Sequence, residues 1–148
     1  MKEVKYLFIP VSGEPEIREH KLRFNIKEEL NEEAIDCIDH AYLGKNLYLY
    51  FDDEGIKHYL EERIEYNFNI PSAGKFANMI FGNAMVDKVD QFGDSIDITP
   101  EDVEYVKETI FKLTKDKVIF EIGNIMLNFK QHWRILWVLC KFFPFVVG

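Results

Sequence analysis

One stretch, residues 79–106, constrains the architecture more than any other, because strand, turn and capped helix follow one another in it without a break. Ile80-Phe81-Gly82-Asn83-Ala84-Met85-Val86 reads as extended chain, and Gln91-Phe92-Gly93-Asp94 reads as a turn. Thr99 then offers a hydroxyl to the free N–H groups of a helix start. Pro100 suits the first helical position because no donor is lost there, and Glu101 and Asp102 oppose the positive end of the helix dipole. Val103, Val106, Ile110 and Leu113 supply its apolar stripe, so a helix is predicted over 100–114.

Around this stretch the chain alternates between short extended runs and helical patterns. Val4 to Ile9 is rich in β-branched and aromatic residues, and Ser12-Gly13-Glu14-Pro15 turns it into a second extended run, Ile17 to Phe24. Ile26, Leu30, Ala34, Ile38 and Tyr42 recur every four residues and predict a helix over 27–42, with Gly44 as its stop. Leu47 to Phe51 reads as a strand ended by Asp52-Asp53-Glu54-Gly55, and Ile56, Tyr59, Leu60 and Ile64 make a weaker helical pattern. Val118 to Ile122 reads as a strand, followed by a Gly123-Asn124 break. The expected fold is α+β: a mostly antiparallel sheet of four or five short strands, with the helices near 27–42 and 100–114 on one face.

Charge divides the chain. Residues 1–116 hold 25 acidic and 14 basic side chains, whereas 117–148 hold one acidic and four basic. The domain expectation follows that division: a small α+β domain over 1–116 and an apolar, basic extension over 117–148. A net charge of −8 argues against direct nucleic-acid binding, which needs clustered Lys and Arg to displace counterions. Two cysteines, Cys37 and Cys140, cannot build a disulfide framework, and no secretory leader opens the chain, so a cytoplasmic setting is expected. Lys130, Arg134 and Lys141 interrupt the apolar tail before it reaches the ~18 residues of a spanning helix.

The run Phe81-Gly82-Asn83-Ala84, then Gly93-Asp94, then Ile98-Thr99-Pro100-Glu101-Asp102-Val103 resembles a family of small domains of unknown function carried by phages, plasmids and their bacterial hosts. Ile9-Pro10-Val11 through Pro15-Glu16-Ile17-Arg18-Glu19, and Phe51-Asp52-Asp53-Glu54-Gly55, are similar to it as well, so the likeness covers about residues 4–110. The resemblance implies a small α+β unit, sometimes placed near antirestriction-type proteins of mobile elements. It brings no established activity and no catalytic site. Residues 117–148 have no counterpart in it.

Candidate sites weigh against plainer readings. The first predicted helix carries Glu28, Glu29, Glu32, Glu33, Asp36 and Asp39, so that Glu28-Glu32-Asp36 and Glu29-Glu33 stack like charges at four-residue spacing, each pair costing about 0.2–0.5 kcal/mol on an isolated helix. Such a face suits a cationic protein surface, or serves only to keep an acidic protein soluble. Asp87, Asp90, Asp94 and Asp97 suggest calcium, but Phe92 stands where an EF-hand loop needs a ligand, and a polar hairpin turn explains them. Cys37 and His40, with His58, Glu62 and Cys140 left to recruit, fall short of a zinc set, so no metal or cofactor is expected. No histidine stands in a triad-like context, and no catalytic residue is assigned.

The apolar segment Trp133 to Val147 must be covered, and Trp133, Leu136, Trp137, Phe142 and Phe143 are its expected interface residues. Packing on the domain itself, a homo-oligomer, or a peripheral membrane contact aided by Lys130, Arg134 and Lys141 are the three ways to do so. The functional expectation is a non-catalytic binding protein of a phage or mobile element that engages a host protein or sequesters a small ligand. The alternative is a membrane-peripheral or self-assembling structural protein acting through the tail.

Overall fold

A computed structural model describes residues 3–21, 25–71 and 78–129. The protein is α+β. Its strands are β1 (Glu3–Ile9), β2 (Glu16–Lys21), β3 (Ile38–Gly44), β4 (Leu47–Asp52), β5 (Tyr66–Asn69), β6 (Met79–Phe81), β7 (Ala84–Val89) and β8 (Ser95–Ile96); its helices are α1 (Ile26–Leu30), α2 (Gly55–Leu60), α3 (Pro100–Thr109) and α4 (Lys115–Phe129). The chain divides after Lys112 into two units, and α4 belongs to the second.

In the first unit the main sheet runs β2-β1-β7-β4-β3, with β8 paired to β7, and every pairing is antiparallel. β5 and β6 form a separate two-stranded sheet. Side chains alternate across the pleat, so Leu7, Ile9, Leu47, Leu49, Phe51, Ala84 and Val86 point to one face. They form the core with Phe68, Ile70 and Ile80 of the small sheet region and Val106 of α3. Tyr6, His20, Met85 and Asp87 occupy the opposite face, all buried, and the Tyr6 hydroxyl donates to Glu29 of α1.

The predicted start of α3 is found with an added feature: Thr99 Oγ1 accepts from Asp102 N at 3.2 Å, while Asp102 Oδ2 accepts from Thr99 N at 2.9 Å. Lys88 of β7 reaches the same carboxylate at 2.9 Å and fixes α3 over the sheet. The helix ends at Thr109 rather than 114, because Ile110 turns extended and Phe111 pairs with Asn69 in an isolated bridge.

Three expectations are corrected. The helix predicted over 27–42 is a five-residue turn of helix, closed by Asn31 in the left-handed conformation, and its second half is the edge strand β3. A four-residue apolar period is also a multiple of the two-residue strand period, so Ile38 and Tyr42 fit either structure. The expected helix pair on one face therefore does not exist: α3 covers the core face, while α1 meets Tyr6 on the other. Residues Val118 to Ile122, predicted extended, lie inside α4 with Gly123 and Asn124. Buried Val118, Ile122 and Ile125 are spaced four and three apart, the helical period that local β-propensity obscured.

Candidate functional site

α1 begins where Asn25 accepts from Lys27 N at 3.0 Å and ends where Asn31 returns its N–H to Lys27 O. This single turn and the bend after it set Glu28, Glu32 and Glu33 around one shallow depression of about 600 Å³, with Asn25, Lys27 and Asn31. Three of the six acidic residues singled out in the sequence thus come together. Glu29 is engaged by the Tyr6 hydroxyl at 2.5 Å, Asp36 meets Lys27 at 3.4 Å, and Asp39 lies on β3 with its carboxylate on its neighbour's N–H.

Glu32 anchors the depression to the fold. Its Oε1 accepts from Asn83 N at 3.2 Å, and Asn83 in turn donates to Leu30 O and accepts from Val11 N. Burial pushes the Glu32 carboxyl above the usual range; the Asn83 N–H opposes that shift, and the charges of Glu65 and Asp52 add to it. Asp53 is raised in the same way, by burial first and then by Asp39, Glu54 and Asp52. In both groups burial is the main cause, and neighbouring carboxylates, Asp52 among them in each case, add to it.

A second cluster escaped the reading of the sequence. Asp52, at the end of β4, and His58, in α2, are both almost fully buried, with His58 Nδ1 2.5 Å from Asp52 Oδ2. His58 Nε2 faces Glu54 Oε2 at 3.7 Å, and Lys57 meets the same carboxylate at 3.3 Å. Asp52 Oδ1 also accepts from Glu54 N, so strand end, turn and helix are clamped around one imidazole. The available signal was the Asp-x5-His spacing across a Gly55 turn, which means little until the turn geometry is known. Both ring nitrogens face carboxylates, an arrangement that fastens α2 to β4.

Asp87 and Asp90 brace the β7–β8 hairpin, and Asp97 ties the chain after β8 to β1. Asp90 Oδ1 accepts from Phe92 N and Asp94 N, Asp97 Oδ1 accepts from Lys5 N, and Asp87 Oδ2 accepts from Ser95 Oγ at 2.6 Å. Burial raises the Asp87 carboxyl above its ordinary value, against the pull of Ser95, His20 and the Lys88 N–H. Cys37 and His40 are exposed, and no cluster of three or more metal-ligating side chains occurs among the described residues.

In the second unit, α4 buries Val118, Ile122 and Ile125 but leaves Ile119, Phe120 and Leu127 exposed. Trp133, Leu136, Trp137, Phe142 and Phe143 lie outside the described residues, as do Cys140 and the C-terminal basic side chains. Among the described residues no helix is long and apolar enough to cross a membrane. No family model, no curated protein and no solved structure matches this chain.

Proposed function

We propose that this chain is a non-catalytic binding protein of the phage or mobile-element type, which engages a cationic surface of a host protein and thereby blunts a defence system. One observation carries the reading: Glu28, Glu32 and Glu33 surround a single depression in which the one cation, Lys27, is already paired with Asp36. The raised carboxyl of Glu32 is consistent with it: burial above all, with the charges of Glu65 and Asp52 added, disfavours ionisation there, and a positive partner group would favour it. The resemblance of residues 4–110 to small mobile-element domains supplies the setting.

The test compares equal charge removal at two places. Glu28→Gln/Glu32→Gln/Glu33→Gln should weaken binding of a nona-arginine peptide about tenfold more than Glu101→Gln/Glu104→Gln/Glu108→Gln on α3, measured by calorimetry at physiological salt. Equal losses in the two triples would mean that net charge alone is at work, and the acidic site would be abandoned.

A second reading, self-assembly or peripheral membrane contact through the C-terminal segment, is favoured by the exposed Ile119, Phe120 and Leu127 of α4. Replacing the three by Ser should abolish a concentration-dependent oligomer in light scattering, or co-flotation with anionic vesicles. A wild-type chain that is monomeric and leaves such vesicles alone removes this reading.

A further inference from the structure

On the side of the main sheet that turns away from the core, the β3–β4 hairpin carries a row of rings. His40 of β3 faces Tyr50 of β4 in register and Tyr42 faces Tyr48, so all four side chains stand on one side of the pleat, opposite Leu47, Leu49 and Phe51. The ring centroids of Tyr42 and Tyr48 are 5.0 Å apart, and His40 lies 6.5 Å from Tyr48 and 6.2 Å from Tyr50. β3 is the outermost strand here among the described residues. Tyr42 is 57 % exposed and His40 is exposed, while Tyr48 and Tyr50 are half-buried. Rings held against one another in this way offer a broad contact area that loses little side-chain freedom when something lands on it.

The field at these rings favours a cation. Asp87 of β7 stands beside Tyr48 in register and on the same side of the sheet. Burial first, then the charge of Asp87 and the neighbouring Tyr48, pushes the Tyr50 hydroxyl above its usual range. β3 and β4 contain no Lys or Arg. Lys45, in the turn between them, lies 4.4 Å over the Tyr105 ring of α3, and Lys88, next to Asp87, reaches Asp102 on the core side at 2.9 Å. The hairpin and its neighbour on β7 therefore send their cations to the other side of the sheet and give the rings none. Farther along the ring side, β2 shows a cation that suits it: Arg18, in register with Tyr6, holds its guanidinium carbon 3.6 Å from the centre of the Phe8 ring and pairs with Glu16.

We propose that the face made by His40, Tyr42, Tyr48 and Tyr50 docks an arginine-bearing segment of the partner protein, with a guanidinium plane stacked on the Tyr42 and Tyr48 rings. The proposal rests on the reading of a cationic partner and adds the residue type by which that partner is recognised. Arginine is selected over lysine because a flat, weakly hydrated guanidinium covers a ring while its N–H groups remain free to donate, whereas an ammonium is a strongly hydrated point charge. The acidic depression makes no such distinction, since carboxylates attract either cation.

The experiment titrates the 15N-labelled full chain with nona-arginine and with nona-lysine, which carry equal charge. Nona-arginine should bind about fivefold more tightly and shift the Tyr42 and Tyr48 amides saturably. His40→Leu/Tyr42→Leu, at two exposed positions, should erase that preference and leave nona-lysine binding as it is in the wild type. Glu28→Gln/Glu32→Gln/Glu33→Gln should weaken both peptides and keep the preference. Equal affinity of the wild type for the two peptides, or a preference that survives loss of the rings, would overturn the proposal and leave the acidic depression standing. Failure of both peptides to bind would remove the proposal and the cationic-partner reading together. A dimer in sedimentation that His40→Leu/Tyr42→Leu dissolves would assign the ring face to a second copy of the chain and overturn the proposal as well.

Discussion

Gly82 stands where the chain leaves the small sheet for the main one, at φ +78°, with Ile64 Cγ1 2.8 Å from where a Cβ would be. Gly82→Ala combines left-handed strain with overpacking, and should lower the unfolding free energy by roughly 2–4 kcal/mol in urea titrations. Two buried aspartates should respond to pH with opposite signs. Burial disfavours ionisation of Asp102, but the Lys88 ammonium and the Thr99 backbone N–H and hydroxyl outweigh it and hold its carboxyl below the usual range. Its stabilising effect is therefore present above the ordinary aspartate range and lost as pH falls through the lowered value, so Asp102→Asn should cost about 1–2 kcal/mol near pH 7 and less in acid. For Asp87 the raised carboxyl reverses the slope: stability is intact below the ordinary aspartate range and is lost as pH rises through the raised value. Asp87→Asn should gain on the wild type from about pH 3 to pH 7, as read from unfolding midpoints.

The Asp52–His58 clamp acts at the level of elements, joining β4 to α2. His58→Ala leaves a buried carboxylate without its partner and should cost about 3 kcal/mol. A double variant with Asp52→Asn should lose less than the sum of the single changes, and additive losses would show the contact to be energetically idle. Elements with their own punctuation were legible in the sequence. Thr99-Pro100 marked α3, Asp52 to Gly55 ended β4, and Ser12 to Pro15 turned β1 into β2. Those whose identity depends on tertiary partners were not: β3 shares its apolar period with a helix, and β5 lies in a run without turn signals before Ile70-Pro71. The same limit applied to the site. Glu28, Glu32 and Glu33 were singled out on a helical spacing that ends at Leu30, and it is the Asn31 reversal, which only the fold reveals, that gathers them around one depression. The row of rings was hidden for a related reason: a helix over 27–42 sends His40 and Tyr42 to different faces, whereas β3 sets them on one.

At the scale of the molecule, among the described residues the main core runs from Leu7 to Ile110, all of it before Lys112. A chain ending at Lys112 should therefore retain a single cooperative unfolding transition and the dispersed amide spectrum of the sheet; loss of either would place part of the first unit's stability beyond that point. The strand order carries a further consequence for synthesis. β7 stands between β1 and β4 yet is made after both, so the hairpins β1–β2 and β3–β4 leave the ribosome with their inner edges unpaired. At ~5–20 residues per second, the stretch between Ile9 and Ala84 keeps β1 waiting for several seconds, long enough for a nascent-chain chaperone to matter. The keystone of this sheet is laid late, and until then the growing polypeptide offers two sticky ribbons to whatever it meets.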